Sequence, residues 1–427
     1  MQAGYYEKLR TEMEVSAELM NSIAENFQKE MRLGLHDHTG SLKMLPSYTD
    51  NPSGQEAGIY VAIDFGGTNV RIMLIELMAE RGYREKKRIC FSLKDEKKGY
   101  DFTSEKVTGE ELCQFLVSKI KLLVQPGIVY SLGYTFSFPC RADGINHAVL
   151  LKWTKEFKTA GVEGEDMMSL LLAALEREKL ENVVPRAIIN DTVGTQLALA
   201  YTDCDCDIAT VLGTGHNTSY LEKEYPGFLN PVIINIESGN FNKIPLTKYD
   251  RMLDACSERP GAQLLEKMVA GRYLGRLAQT IVHELLSIDM KGFTTFDLNT
   301  VLQDRTDDLR NIQRLLETQF FVYESPYQVR SLIREICDLI AVRSAHLAAA
   351  TLVGIFRHID PGLKKRHTVA VEGSLYEKMN GYSETLGTAL QGALGEKAGQ
   401  VKLKTAKGGP CLGAAIAAAI AENNRKS

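Results

Sequence analysis

A glycine-containing turn with an acidic residue before it is the first place along the chain where side chains could do chemistry. It reads Asp64-Phe-Gly-Gly-Thr-Asn-Val-Arg71 and follows an apolar, β-rich run. Adjacent glycines let the main chain approach a phosphate, and hydroxyl, amide and guanidinium groups could donate to that anion. The residues with these properties are Gly66, Gly67, Thr68, Asn69 and Arg71. A hairpin that only needs glycine at its tip would look the same, so both interpretations stay open.

The acidic residue of this segment suits a metal ion. Asp64 could hold Mg²⁺ through water, because this hard ion keeps several waters and uses few carboxylates. The spacing is not that of G-x-x-x-x-G-K-[ST], so a P-loop fold is not implied.

A second carboxylate lies where a strand pattern changes to a helix pattern. Asn190-Asp191-Thr192 follows the apolar residues 187–189 and precedes a helical stretch over residues 192–201. Ligands commonly bind at the carboxyl edge of a sheet, and a carboxylate there could take the proton of an attacking alcohol. Asp191 could instead cap the helix. Both roles are compatible only if its two oxygens are divided between them.

The first hairpin pattern recurs in the second half of the chain. Residues 208–212 are followed by the turn Gly213-Thr-Gly-His-Asn217 and then by residues 218–222. Two similar hairpins far apart in sequence predict a duplicated α/β unit, each half bringing its own turn to a shared ligand.

Several hydrogen-bonding residues occur in apolar or glycine-rich surroundings. They are Lys152-Trp-Thr-Lys155, Asn190, Asn217 and Glu237. Together they suit a ligand with many hydroxyl groups, because each hydroxyl both donates and accepts. Each one could also be an ordinary hydrogen-bonded loop residue, and Trp153 is more typical of a core.

The remaining periodicity predicts the elements that carry these segments. Apolar spacing predicts one amphipathic helix over residues 9–31, an irregular segment over 34–57, and strands over 131–139 and 187–190. Long helices are predicted over 262–286 and 326–358, and a strand over 368–371 precedes Glu372-Gly-Ser374. We therefore expect an N-terminal appendage (1–57), a small α/β lobe (58–200) and a large α/β lobe (201–427). The large lobe has a helical insert at about 260–360, and the C-terminal helix returns to the small lobe.

The whole chain has 427 residues, which favours two lobes with a cleft between them. Its net charge is −4, and no basic block is long enough to follow a nucleic acid. The first ten residues lack the apolar core of a signal peptide, and the apolar residues 412–421 are too few to span a bilayer. The eight cysteines lack paired spacing, and His36 and His38 are expected to be solvated. A cytoplasmic protein without nucleic-acid or membrane partners is predicted.

Read in order, these segments resemble the eukaryotic-type hexokinase family, within the actin-like ATPase superfamily of sugar kinases. The resemblance runs over most of the chain. It rests on Met44-Leu-Pro-Ser-Tyr48, Asn51-Pro-Ser-Gly54, Asp64 to Arg71, Leu132-Gly-Tyr-Thr-Phe-Ser-Phe-Pro-Cys140, Trp153-Thr-Lys155, Asn190-Asp-Thr-Val-Gly-Thr195, Gly213-Thr-Gly-x-Asn217, Asn235-x-Glu237, Pro260-Gly-x-Gln263, Glu266-Lys-Met268 and Tyr273-Leu-Gly275. It implies a two-lobed actin-like (ribonuclease H-like) α/β fold with a duplicated unit and a central cleft.

The resemblance also implies site residues and ligands. The hexose site would consist of Ser137, Thr154, Lys155, Asn190, Asp191, Asn217, Glu237 and Glu266, with Asp191 as base toward the 6-hydroxyl and Lys155 as a second catalytic residue. ATP would contact Asp64, Gly66, Gly67, Thr68, Asn69, Arg71, Thr214, Gly373, Ser374 and Leu375, with Mg²⁺ on the phosphates near Asp64. The implied activity is phosphorylation of a hexose by ATP, with glucose first and mannose or fructose as alternatives, in a monomer or homodimer.

Some positions depart from the family pattern. Ser238 follows Glu237 where many members have Trp, and Glu156 follows Lys155 where Gly is usual. Others are Thr218-Ser219, Ala142, Glu372 before Gly373, and Lys407-Gly-Gly-Pro-Cys411. Two other functions use the same fold: a hexose- and nucleotide-binding sensor without catalysis, and an actin-like ATPase. The ATPase would have no use for Trp153-Thr-Lys155 and Glu266.

Overall fold

The computed structural model describes residues 2–37 and 39–426, so the predicted environment of His38 lies outside the described residues. In chain order the strands are β1 (Leu45–Pro46), β2 (Gly58–Phe65), β3 (Asn69–Met78), β4 (Gly82–Ser92), β5 (Lys94–Asp95), β6 (Tyr100–Asp101), β7 (Tyr130–Phe136), β8 (Cys140–Gly144), β9 (His147–Leu150), β10 (Val183–Ile189), β11 (Cys206–Leu212), β12 (His216–Glu222), β13 (Val232–Asn235), β14 (His367–Glu372) and β15 (Val401–Thr405).

The α-helices follow the same order. They are α1 (Gln2–Met13), α2 (Ala17–His36), α3 (Gly109–Ile120), α4 (Met167–Arg177), α5 (Asp191–Thr202), α6 (Lys248–Ala255), α7 (Leu264–Val269), α8 (Gly271–Leu286), α9 (Thr295–Gln303), α10 (Arg310–Gln319), α11 (Tyr327–Ile359), α12 (Ser374–Lys378), α13 (Tyr382–Leu394) and α14 (Gly409–Lys426). Short 3₁₀ turns occupy Ser238–Asn240 and Gly395–Gln400.

Two sheets share one topology. In the first the order is β10-β7-β2-β3-β4, and in the second β15-β14-β11-β12-β13 is followed by the short strand β1. Each sheet has three antiparallel strands in a meander, and two further strands are added in parallel beside the first of them. This repetition confirms the two-lobed α/β fold with a duplicated unit.

Both glycine-containing turns join antiparallel strands, as predicted. β2 pairs with β3 so that Asp64 lies opposite Arg71, and β11 pairs with β12 so that Leu212 lies opposite His216. Because each hairpin belongs to the central strand of its sheet, each tip lies at the carboxyl edge of the neighbouring parallel strands.

Three predicted boundaries are wrong. The single N-terminal helix is two helices, because Ser16 is extended and its side chain accepts a hydrogen bond from Leu19 N at 3.2 Å to begin α2. The predicted helix over 262–286 is also two, interrupted at Ala270, whose backbone is extended. The segment predicted to be irregular includes the end of α2 and β1, which pairs with β13.

Helix α14 packs against the first sheet and helix α5. Most of its side chains from Cys411 to Ala419 are almost fully buried, together with residues from β2, β3, β10 and α5. Its backbone comes so close to β7 that a β-carbon at Gly133 would overlap the carbonyl oxygen of Ala414. The C-terminal helix therefore lies on the first sheet, while the proposed domain limits after residues 57 and 200 stay predictions.

Within the described ranges 2–37 and 39–426, one helix, α11, is long and apolar enough to cross a membrane by length and composition alone. Of its most apolar window, 83% is buried inside the protein. Helix α11 contributes to the large core together with α2 and α8, and a buried core helix passes this test of length and composition as well.

Candidate active site

Strand ends bring the predicted residues of the first sheet to one edge. β2, β7 and β10 are parallel, so their carboxyl ends lie at the same edge of the sheet. Asp64 is near the end of β2, Ser137 follows β7 and Asp191 follows β10. In the second sheet β11 and β14 are also parallel, and Thr214 and Gly373 follow their ends. The two edges supply the candidate site from both lobes.

Asp191 and Asn190 share the N-terminus of α5. Asn190 is the N-cap, and its Oδ1 accepts a hydrogen bond from Thr192 N at 2.9 Å. Oδ1 of Asp191 accepts from the same N–H at 2.8 Å, while its Oδ2 accepts no hydrogen bond from any residue that the structure describes. The carboxylate is thus divided, one oxygen turned to the helix and one left for a ligand.

The glycines of the first hairpin are not required by the turn itself. Gly66 and Gly67 do not have a positive φ, and a β-carbon at Gly67 would meet no atom within 4 Å. Thr68 and Asn69 are exposed beside them. Since the fold leaves room for side chains here, the geometry favours close approach of a ligand over a purely conformational need for glycine.

Asp64 is a nearly buried carboxylate paired with one cation. Its Oδ2 lies 3.1 Å from Arg71 Nη1. The pKa of Asp64 is raised to about 6, chiefly by burial. The charge of Arg71 opposes this rise, and the charge of Asp191 adds to it. Burial and a second carboxylate both disfavour the ionised form of Asp64, and a bound cation would stabilise that form.

Lys155 ties the loop after β9 to the first hairpin. Its Nζ donates to the carbonyl oxygens of Gly66 at 2.5 Å and Ser137 at 3.0 Å. Lys155 and Glu156 both have left-handed backbones, with φ of 57° and 69°, so Glu156 occupies a conformation that favours glycine. Thr154 is half-buried next to them.

An aromatic cluster packs beneath this loop. Trp153 is 6% exposed, stacks on Phe157 at 5.1 Å and donates through Nε1 to Thr159 O at 2.9 Å. Trp153 is therefore a core residue, as predicted, and not a platform for a ligand.

Ser137 has a buried hydroxyl group without a partner. Its Oγ makes no hydrogen bond to any described residue although the residue is only 8% exposed. Buried polar groups are nearly always paired, so an orphan at a sheet edge indicates a place where a polar ligand completes the bonding.

Amides and carboxylates of the second sheet form one network. Asn217 Nδ2 donates to Asn235 Oδ1 at 2.8 Å, and Asn235 Nδ2 donates to Glu237 Oε1 at 2.9 Å. Asn217 Nδ2 also lies 3.4 Å from Asn190 Oδ1, which links the network to the first lobe. Such a set can both donate to and accept from the hydroxyl groups of a polyol.

Two carboxylates of this network have raised pKa values. Burial raises the pKa of Glu237, and the charges of Asp191 and Glu266 raise it further. Burial likewise raises the pKa of Glu266, whose Oε2 accepts a hydrogen bond from His216 N at 3.1 Å. Mutual repulsion shows that Asp191, Glu237 and Glu266 lie near one another.

The second hairpin is bonded through its main chain to the start of α8, and the start of α12 lies beside it. Gly271 N donates to Gly213 O at 2.8 Å, and Thr214 is exposed at the tip. Gly373 has φ of 123°, while Ser374 is exposed and the side chain of Leu375 is buried in the large core. Leu375 as a whole is only 2% exposed, so it presents little surface to a nucleotide.

Two residues at the site were not among those predicted to form it. Asn235 ends the apolar strand β13. Glu372 ends β14, and its Oε2 accepts a hydrogen bond from Thr195 Oγ1 at 2.6 Å. Burial raises the pKa of Glu372 to about 7, and the charges of Asp191 and Asp64 contribute. A polar residue at the end of an apolar strand, the signal that identified Asp191, would have found both.

Comparison with known proteins identifies the family. Two models, both described as hexokinase, match residues 5–201 and 207–420. Hexokinase-7 of Oryza sativa is 36% identical, with 96% of this chain and 95% of that protein covered. Hexokinase of Schwanniomyces occidentalis is 32% identical, with 99% and 94% covered.

A solved structure shows the same fold. Hexokinase from Schistosoma mansoni, complexed with glucose, has a TM-score of 0.84 and 30% sequence identity, and the match covers 98% of this chain and 99% of that one. The actin-like, two-lobed fold implied by the motifs is thus confirmed. The chain belongs to the hexokinase family of phosphotransferases.

Proposed function

We propose that this protein transfers the γ-phosphoryl group of ATP to the 6-hydroxyl of a hexose, with glucose preferred over mannose or fructose. The observation that carries the proposal is the divided carboxylate of Asp191, with Oδ1 turned to helix α5 and Oδ2 free at the sheet edge. The orphan hydroxyl of Ser137 and the amide-carboxylate network around Glu237 support a polyol next to it.

The reaction follows from this placement. The sugar oxygen attacks the γ-phosphorus, its proton passes to Asp191, and the bond from the γ-phosphorus to the bridging oxygen of ADP breaks. General base catalysis of this kind typically contributes roughly 100-fold to 10,000-fold. Closure of the lobes on the hexose would exclude water, the competing acceptor.

The two hairpins would hold the nucleotide. In this proposal Asp64 to Arg71 contact the phosphates from one lobe, and Thr214, Gly373 and Ser374 contact the nucleotide from the other. Asp64 offers the oxygen ligand that Mg²⁺ prefers and would hold it through water. Bound Mg²⁺ would neutralise phosphate charge during transfer.

A coupled assay of ADP release tests the proposal. Purified protein is given Mg-ATP with glucose, mannose, fructose or no sugar. We expect sugar-dependent release with the highest kcat/KM for glucose, and the sugar 6-phosphate as product by mass spectrometry. Release without sugar would indicate an ATPase, and binding of hexose without release would indicate a sensor.

A cytoplasmic location, a role in glycolysis and a monomeric or homodimeric state also stay predictions. Cell fractionation and size-exclusion chromatography with light scattering would test the location and the oligomeric state.

A further inference from the structure

A buried row of polar side chains lies directly behind the amide-carboxylate network. His216 is 3% exposed, and Ser238 and Thr218 are fully buried. Ser238 Oγ lies 3.3 Å from His216 Nε2 and 3.1 Å from Thr218 Oγ1. None of the three was assigned a part in binding or catalysis above.

The protonation state of the histidine follows from its partners. His216 Nδ1 lies 3.1 Å from the carbonyl oxygen of Val211, which can only accept, so Nδ1 carries the hydrogen. Burial lowers the pKa of His216 to about 4, and the ring is therefore neutral near pH 7. Nε2 is then an acceptor. The hydroxyl of Ser238 has one hydrogen, which it can donate to Thr218 Oγ1 at 3.1 Å or to Nε2 at 3.3 Å, and it is the group within reach that can donate to Nε2.

Both residues are attached by their main chains to the sugar-site carboxylates. His216 N donates to Glu266 Oε2 at 3.1 Å. Ser238 directly follows Glu237, which has a left-handed backbone with φ of 56°, and Ser238 N donates to Asn217 Oδ1 at 3.2 Å. A non-glycine residue keeps such a conformation only where its surroundings hold it.

We propose that His216 and Ser238 act as a positioning pair that holds Glu237 and Glu266 in the geometry that binds the hexose. The inference rests on the proposed function, because it takes these two carboxylates as sugar ligands. It predicts that the pair determines affinity for the hexose and has little influence on ATP, whose proposed ligands lie on the hairpin tips.

The test compares three variants with the wild-type protein. Ser238→Ala leaves Nε2 of His216 without a donor, and His216→Asn keeps a donor for Val211 while losing the bond to Ser238. Thr351→Ala is the matched control, because it removes a fully buried hydroxyl whose recorded bond is to Ala348 O of its own helix. Steady-state kinetics with glucose and ATP varied separately, and thermal unfolding, are measured for each.

We expect Ser238→Ala and His216→Asn to raise the KM for glucose about tenfold, the effect of one unpaired buried polar group. The KM for ATP should stay within about twofold, and kcat should fall less than the glucose KM rises. The double variant should be no worse than the more affected single variant, because the two changes break one interaction. Thr351→Ala should leave both KM values unchanged.

The proposal is overturned if glucose and ATP KM values rise together, or if only the melting temperature falls. Failure of both variants to fold while Thr351→Ala folds would also overturn it, since the pair would then be purely structural. Wild-type protein that neither phosphorylates nor binds any hexose would refute the proposed function instead. Active wild type with an unchanged glucose KM in both variants would refute the positioning pair alone.

Discussion

The catalytic proposal depends on how two adjacent side chains divide the N-terminus of helix α5. Asn190 caps the helix, and Asp191 gives one oxygen to the same N–H group while the other stays free. Because a neighbour already satisfies the cap, Asp191 can change its protonation during a reaction without unwinding the helix.

Replacing Asp191 by Asn should reduce kcat by roughly 100-fold or more, because an amide cannot take the proton of the sugar hydroxyl. Glucose binding measured by calorimetry should persist, since Oδ1 still accepts from Thr192 N. ADP release under saturating glucose and ATP gives kcat. A kcat within a few-fold of wild type would remove Asp191 from the role of base.

At Ser137 one substitution should affect ligand binding without lowering the stability of the fold. Its hydroxyl is buried without a partner among the described residues, so Ser137→Ala should leave the free energy of unfolding unchanged or slightly higher. The KM for glucose should nevertheless rise about tenfold, the effect of one lost hydrogen bond to a ligand. Chemical denaturation and kinetics measure the two quantities, and lower stability with an unchanged glucose KM would contradict the assignment.

At the scale of elements, strands β11 and β14 approach each other closely where both end, beside the proposed nucleotide contacts Thr214 and Gly373. Gly373 has φ of 123°, and a β-carbon on it would overlap the carbonyl oxygen of Leu212. This position therefore requires glycine for two independent reasons, its conformation and its contact.

Gly373→Ala should lower the free energy of unfolding by at least about 2 kcal/mol, through strain and displacement of the two strands. Gly387 in α13 is the matched control, because a β-carbon there meets no atom within 4 Å. Gly387→Ala should raise stability by about 0.5–1 kcal/mol, since alanine favours a helix. Urea titration measures both, and equal effects of the two changes would contradict the steric argument.

At the scale of the molecule, acidic groups from both lobes meet at the site. Glu372 of the second sheet accepts a hydrogen bond from Thr195 on α5, and its pKa is raised by burial and by the charges of Asp191 and Asp64. The protein thus holds like charges together when no ligand is bound, at a cost to its own stability that a bound cation would offset.

The raised pKa of Glu372, due first to burial and then to neighbouring charges, should make the free energy of unfolding depend on pH. The pKa of Glu372 is about 7 in the folded protein against an ordinary value of 4.5. Between these values the folded state keeps a proton that the unfolded state has lost, so the free energy of unfolding falls as pH rises from about 4.5 to 7. The contribution of Glu372 to this fall should be about 3 kcal/mol.

Glu372→Gln is always neutral and should flatten this dependence, with stability near wild type at pH 5 and above it at pH 8. Glu396→Gln, at an exposed position, is the control and should follow the wild-type curve. Denaturation at a series of pH values without nucleotide measures the effect. Parallel curves for wild type and Glu372→Gln would show that this carboxyl does not titrate in the window.

Local sequence was sufficient where the signal was local. The tips of both hairpins and the change from strand to helix at Asp191 follow from residue types within a few positions, and the structure has them there. Two predictions of a single long helix were wrong, because the apolar spacing continues across the break between the two helices in each case. A capping side chain at Ser16 and an extended Ala270 end the helix regardless of that spacing.

The order of motifs along the chain was enough to determine the family, the duplicated α/β fold and the list of candidate residues, because these depend on residue type and spacing. Tertiary structure alone decided which atoms are free. The unbonded oxygen of Asp191 and the orphan hydroxyl of Ser137 depend on which groups the surrounding elements leave unpaired. The bonds from Lys155 to two carbonyls and the pairing of His216 with Ser238 join residues far apart in sequence. Hydrogen bonding and burial at those distances arise only when both sheets and α14 are packed together.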